Sequence, residues 1–247
     1  SAAEANNAAD GGDGDDRMTL KASANSPEAA NATNQAAGGA GNDILHAEAD
    51  AVVTSLGRAV ARNNAEGGAG NDAIDVKATG TSGGNSDAIN TVDAGDGDDA
   101  IKAWASGQQS KAFIGYVVAN EITAAAGNDT IEGYAKEGDN VIDGGTGDDV
   151  IAATCEMGLP RIGSVGWVRN ELHGGDGNDT IAGTAVVGSD SAGRNLLYGE
   201  AGNDHIVAVG GKAGNNDAPP PGNYSWSPWN VANILSAGDP VPVEESL

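Results

Sequence analysis

One six-residue turn recurs eight times with the same internal order, and no other feature of this 247-residue chain restricts its fold as strongly. Aligned on their last residue, the copies end in Asp16, Asp43, Asp72, Asp99, Asp129, Asp149, Asp179 and Asp204. Two residues earlier a glycine stands in every copy: Gly14, Gly41, Gly70, Gly97, Gly127, Gly147, Gly177 and Gly202. That is where a left-handed backbone would cost any other residue most. The second position is also glycine in six copies: Gly12, Gly39, Gly68, Gly95, Gly145 and Gly175.

The flanks keep the same register. Two residues after each aspartate comes an apolar side chain (Met18, Leu45, Ile74, Ile101, Ile131, Ile151, Ile181, Ile206), and small residues alternate behind it. This period of two predicts a strand with one buried face leaving every turn. Four residues before each turn stands an asparagine: Asn7, Asn34, Asn63, Asn90, Asn120, Asn140, Asn170 and Asn195. An apolar residue follows it two positions later in the last five copies and alanine in the first three, so a second, short strand is expected to enter each turn. Successive aspartates lie 27, 29, 27, 30, 20, 30 and 25 residues apart. Only the return segment changes length, which predicts a solenoid whose equivalent residues stack. Eight rungs at about 4.8 Å make a rod roughly 38 Å tall.

Composition excludes several alternatives. The chain has one Phe, four Tyr and four Trp, too few bulky side chains for a wide globular core. Its 36 acidic and 12 basic residues give a net charge of −24, which repels nucleic acid and anionic membrane surfaces and favours cations. Cys155 is the single cysteine, so no intrachain disulfide holds the chain together. No apolar stretch approaches the roughly 20 residues of a membrane-spanning helix.

The repeat resembles the repeats-in-toxin (RTX) family, whose nonapeptide G-G-x-G-x-D-x-U-x winds into a calcium-loaded parallel β-roll. The resemblance covers about residues 7 to 210 and rests on eight copies in register. It implies an all-β fold: a right-handed parallel β-roll of about eight rungs over residues 1–210, with calcium turns along one edge and long variable loops on the other. Family members usually carry the glycine-aspartate turn on both edges. Here the second edge has only S82-G-G-N-S-D87, a degenerate copy, and E137-G-D-N140, with Asn in the aspartate position, so calcium is not expected there.

Calcium takes six to eight oxygens and accepts backbone carbonyls, which a stacked glycine turn supplies. The eight aspartates and the glycines of the second and fourth positions are therefore the expected ligands. Each ion is shared by two rungs, with roughly seven ions in the seven gaps. Without metal, stacked carboxylates repel and an Ala-Gly interior buries too little to offset chain entropy, so the apo chain is expected to be largely unfolded. The copies A124-A-A-G-N-D129, A94-G-D-G-D-D99 and G199-E-A-G-N-D204 depart from the glycine pattern and are expected to be strained or to bind more weakly. The asparagines, uncharged and one per rung, predict an amide ladder along the rod that also satisfies backbone at the second corner.

No H-E-x-x-H or G-x-S-x-G motif occurs, and His46, His173 and His205 lie in separate rungs as surface residues. Equivalent aspartates do not separate into acid and base roles, and Cys155 sits at an inward strand position. No enzymatic activity is expected from these residues.

The apolar returns V52–V60, F113–V118 and L159–V168 either pack on the roll or form a contact surface. After residue 210 the pattern stops, and the Pro- and Trp-containing segment 211–247, with Trp226 and Trp229, is expected to cap the roll end. The resemblance also implies export by a one-step (type I) secretion channel. The first functional reading is a secreted, extracellular or cell-surface calcium-binding structural or adhesive protein that self-assembles into a filament or layer through roll ends or loops. The alternatives are a folding and export module of a larger secreted enzyme or toxin, and a soluble calcium protein with a protein or glycan ligand.

Overall fold

The computed structural model describes residues 2–107, 117–157, 166–188, 191–212, 232–236 and 244–246. Its chain winds between two facing sheets of nine parallel strands each. The first sheet holds the strands that enter the turns: β1 (Ala2–Asp13), β3 (Ala29–Ala40), β5 (Arg58–Ala69), β7 (Asn85–Asp96), β9 (Val118–Ala126), β11 (Asp139–Thr146), β13 (Gly166–Asp176), β15 (Ser191–Ala201) and β17 (Ala232–Ser236). The second holds those that leave them: β2 (Arg17–Ser26), β4 (Ile44–Val53), β6 (Ala73–Ser82), β8 (Ala100–Ser106), β10 (Thr130–Lys136), β12 (Val150–Met157), β14 (Thr180–Val187), β16 (His205–Lys212) and β18 (Glu244–Ser246). In each sheet neighbours differ by two in chain order, the signature of a solenoid.

The sequence register is the structural register. Asn34 pairs with Asn63, Asn63 with Asn90, and Ile74 with Ile101, so every repeat position forms a column along the rod. Alternate residues point inward, as in β2, where Met18, Leu20, Ala22 and Ala24 are buried between exposed neighbours. The outward charges of neighbouring strands pair across rungs, as where Glu48 bridges Lys21 and Lys77, 3.2 Å from each.

The interior is divided lengthwise. On the turn side, Met18, Leu45 and the isoleucine column from Ile74 to Ile206 meet Ala36, Ala65, Val92, Ile122, Ile142, Leu172 and Leu197. On the far side the core of the first rungs is almost all alanine, and Cys155, Met157, Val168, Ala185 and Val187 fill it in later ones. Cys155 is fully buried, as its inward position predicts, and burial pushes its thiol up to about 12. Alanine on both facing strands lets the two sheets approach closely, so a core with almost no aromatic residues is still tightly filled.

The asparagines stand between these two cores. Each donates from Nδ2 to Oδ1 of the next, unbroken from Asn7 to Asn195, at 2.8–2.9 Å. The expected ladder is present, but its second partner is not at the far corner. Asn34, Asn90, Asn120, Asn140, Asn170 and Asn195 donate to the carbonyls of Glu48, Trp104, Tyr134, Thr154, Thr184 and Val209, each fourteen residues on, in the facing sheet. The column lies mid-strand because the entering strands are longer than the pattern suggested. In the first four rungs they run twelve residues, so much of the return expected as a long variable loop is strand. The V52–V60 return is likewise mostly strand, broken only at residues 54–57. The F113–V118 and L159–V168 loops fall largely outside the described residues.

Candidate metal centre

The turn is built by backbone angle and backbone bonding. Every glycine of the second and fourth positions has positive φ, from 89° at Gly12 to 151° at Gly177. In each successive pair of turns the fourth-position amide donates to the third-position carbonyl of the following rung, as Gly41 N–H does to Ala69 O at 2.8 Å and Gly147 N–H to Asp176 O at 2.8 Å. Glycine is required by space as well as by angle. A Cβ on Gly39 would come within 2.0 Å of the Gly12 carbonyl oxygen, and one on Gly41 within 2.4 Å of that of Gly14. The carbonyls of one turn are thus directed into the gap below the next.

The sixth-position carboxylates close the site from the other side. Oδ1 of Asp43 accepts the Asp16 N–H, and the same bond repeats to Asp72, Asp99, Asp129, Asp149, Asp179 and Asp204 at 2.7–3.0 Å. Oδ2 does the opposite. In all eight aspartates it is buried and has no hydrogen-bond partner. A buried, unpaired carboxylate oxygen is expensive, and eight in one file form the largest unsatisfied feature among the described residues.

Electrostatics agree. Burial, together with neighbouring carboxylates, pushes Asp99 and Asp149 up to about 7 and also raises Asp72, Asp129 and Asp179, although each accepts a backbone N–H that works the other way. The column holds its negative charge poorly unless something positive sits in it. No group of three or more His, Cys, Asp or Glu side chains converges among the described residues. An ion held between two turns therefore meets two carboxylates and backbone oxygens, a set that suits calcium and not zinc. The residues fit calcium, which would supply the missing positive charge and tie each turn to the next.

RTX calcium-binding nonapeptide repeats match the chain in four copies, at residues 30–51, 115–151, 169–185 and 189–216. The chain is an RTX β-roll. No curated protein and no solved structure matches it. The matched residues include the turns of Asp43, Asp129, Asp149, Asp179 and Asp204. The roll extends beyond them, because Asp16, Asp72 and Asp99 carry the same orphaned oxygen.

The structure adds residues that motif reading missed. The first-position glycine was not among the expected ligands, yet a Cβ on Gly38, Gly174 or Gly199 would stand 2.2–2.3 Å from Oδ2 of the aspartate five residues on. In the roll this glycine keeps the metal-facing oxygen clear; Ala94 and Ala124 occupy the same place beside Asp99 and Asp129. At the second position Ala125 (φ 77°) and Glu200 (φ 68°) adopt the glycine angle, which confirms strain in those two turns, whereas A94-G-D-G-D-D99 keeps glycine angles at both positions. The fifth-position side chains form a second, exposed ladder: the Asn42 N–H donates to Asp15 Oδ1 at 2.8 Å, the Asn128 N–H to Asp98 Oδ1 at 2.7 Å, and the Asn178 N–H to Asp148 Oδ1 at 2.8 Å.

The second edge has a different chemistry. Asp87, the aspartate of the degenerate copy, is buried, and its carboxylate is bound by the Arg58 guanidinium and the Val117 N–H, with Arg62 at 3.8 Å. An arginine stands where the other edge needs an ion. In E137-G-D-N140, Asp139 faces Arg169 at 3.7 Å, and Glu137 takes the positive φ. Of the histidines, His46 meets Asp75 at 3.2 Å, and His173 stacks on Tyr198 while its Nδ1 lies 2.7 Å from Glu200. They do not come together.

Proposed function

We propose that the protein is a secreted structural rod that calcium folds and that assembles with copies of itself into an extracellular filament or surface layer. The observation that carries this reading is the file of eight orphaned Oδ2 atoms running through the first eight of the nine described rungs. The metal requirement is spread along the whole rod, as suits an element that must stay stiff from end to end, and roughly seven ions would fill the gaps between eight turns. Extracellular calcium modules work at about 10⁻⁴ to 10⁻³ M, so such a column would fill outside the cell and stay empty inside it. RTX repeat proteins are typically exported by type I secretion, which supports the same placement. No helix among the described residues is long and apolar enough to cross a membrane.

Light scattering and negative-stain microscopy with and without about 5 mM calcium test the proposal. The expected result is an unfolded monomer without calcium and ordered multimers with it. Calcium-dependent folding without any assembly would favour the export module of a larger protein and overturn the structural reading.

A further inference from the structure

The outer face of the sheet that leaves the turns is electrically unlike the rest of the molecule. On its strands β2 to β12, five of the chain's 12 basic residues point outward: Arg17, Lys21, Lys77, Lys102 and Lys136. Five acidic residues balance them, so the face is neutral on a chain of net charge −24. Copies that repel elsewhere meet no net repulsion here. Part of the pattern is internal to one copy. Glu48 bridges Lys21 and Lys77, and Lys102 lies 3.4 Å from Glu132, which ties neighbouring strands together. Asp50 and Lys136 are different. The register neighbours of Asp50 are Ser23 and Thr79, and those of Lys136 are Ser106 and Glu156, whose carboxylate accepts the Tyr134 hydroxyl at 2.5 Å. Among the described residues neither Asp50 nor Lys136 makes an ion pair. Ile44 and Trp104 also stand open on this face, 41% and 45% exposed.

A two-fold axis parallel to the strands and lying between β6 and β8 makes this face complementary to itself. It sets β6 against β8, β4 against β10 and β2 against β12 of a second copy, and each outward column against the same column. Asp50 then faces Lys136, Asp75 faces Lys102 and His46 faces Glu132, each twice because such a contact is isologous. Lys77 comes opposite Trp104, an ammonium against an aromatic ring. At the axis Ala73 faces Ala100, so no bulky side chain holds the faces apart. No like charges are opposed. Moving the axis onto β6 would set Asp75 against Asp75 and Lys77 against Lys77. Moving it onto β8 would set Lys102 against Lys102 and Asp50 against Glu156. A move by a full rung separates Asp50 from Lys136. The charge pattern thus selects one register.

We propose that two calcium-loaded rolls pair side by side and antiparallel through this face, with the axis between β6 and β8, so that Asp50 of each copy meets Lys136 of the other. Strands β2 to β12 at about 4.8 Å spacing, each with about seven residues at about 3.3 Å, span roughly 29 by 23 Å. Two such faces bury about 1,300 Å² together, within the range of stable protein interfaces. The inference rests on the structural reading above and supplies it with a lateral contact. An isologous contact closes on itself, so this face alone makes pairs and not filaments.

The test is the particle mass of the full chain and its charge variants in about 5 mM calcium, by sedimentation and light scattering. The unaltered protein should pair. Asp50→Lys and Lys136→Asp each oppose like charges at both copies of the contact and should weaken pairing about tenfold or more, although they move the net charge in opposite directions. Combining them should restore pairing. The restoration has to come from a second copy, because the two positions lie about 14 Å apart within one chain. Asp50→Asn and Lys136→Gln guard against misfolding: each keeps the size of an outward side chain and should weaken pairing about threefold while the calcium-induced strand signal is unchanged. Weakened pairs that the combined reversal does not restore would overturn the contact. Larger particles indifferent to both reversals would also overturn it and leave the structural reading standing. Pairs that obey the reversals but never grow would keep the contact and overturn the filament or layer; monomers under every condition would overturn both.

Discussion

Replacing Asp149 by asparagine should change stability in opposite directions with and without calcium. Asp149 faces two gaps, one towards Asp129 and one towards Asp179, and its Oδ1 accepts the Asp129 N–H at 2.8 Å. Asparagine keeps that acceptor and removes the charge at Oδ2. In the metal-free roll burial holds this carboxyl near 7, against 3.8 for the free group. Keeping it ionised at pH 8 therefore costs the fold on the order of 4 kcal/mol, at about 1.4 kcal/mol per pH unit. Asparagine recovers that amount less the roughly 1–3 kcal/mol of a buried, unpaired Nδ2. The metal-free variant should gain about 1–3 kcal/mol. With calcium the sign reverses, because two ions each lose one of their two carboxylates, and the folding midpoint should rise on the order of tenfold. The assay is circular dichroism of the strand band: a calcium titration, and a melt in chelator with trimethylamine N-oxide added to hold the metal-free roll folded. An unchanged midpoint together with an unchanged metal-free melt would show that Asp149 carries no charge into either gap.

Further outcomes follow from the same geometry. The raised carboxyls bind protons in the folded state that the unfolded chain releases, so the metal-free roll should lose stability as pH climbs from about 4 to about 7; calcium affinity should weaken as pH falls below 7, measurable by titrations at several pH values. Ala125→Gly should raise the melting point of the calcium form by relieving about 1 kcal/mol of left-handed strain; no gain would argue against strain in that turn. Asn140→Ala removes three buried amide bonds and strands the Thr154 carbonyl, and thermal melts should show a loss of about 3 kcal/mol or more. Gly174→Ala should lower calcium affinity by pressing a methyl on Asp179 Oδ2, while circular dichroism shows the roll retained at saturating calcium.

Columns were easier to read from the sequence than contacts. Gly41, Asp43 and Leu45 recur at fixed offsets, and because a solenoid repeats its hydrogen bonds with its sequence, their stacking followed directly. The destination of the Asn34 amide, the Glu48 carbonyl, was not readable, since it depends on how closely two alanine-rich sheets approach. The role of Gly38 was hidden for a similar reason: its missing Cβ makes room for an oxygen five residues later, and the sequence shows only another glycine beside Gly39. Asp87 looked like a weak copy of the motif because Arg58, which neutralises it, lies a full rung away in the chain. Asn233 and Leu235 follow the rung pattern, but the prolines around them drew attention to a cap.

The most direct test of the central claim is an anomalous-scattering map of the calcium-saturated protein. The roll described here predicts about seven peaks in single file along the turn edge, each between the Oδ2 atoms of successive rungs, and none beside Asp87. A well-ordered roll at saturating calcium with no metal in those gaps would contradict it.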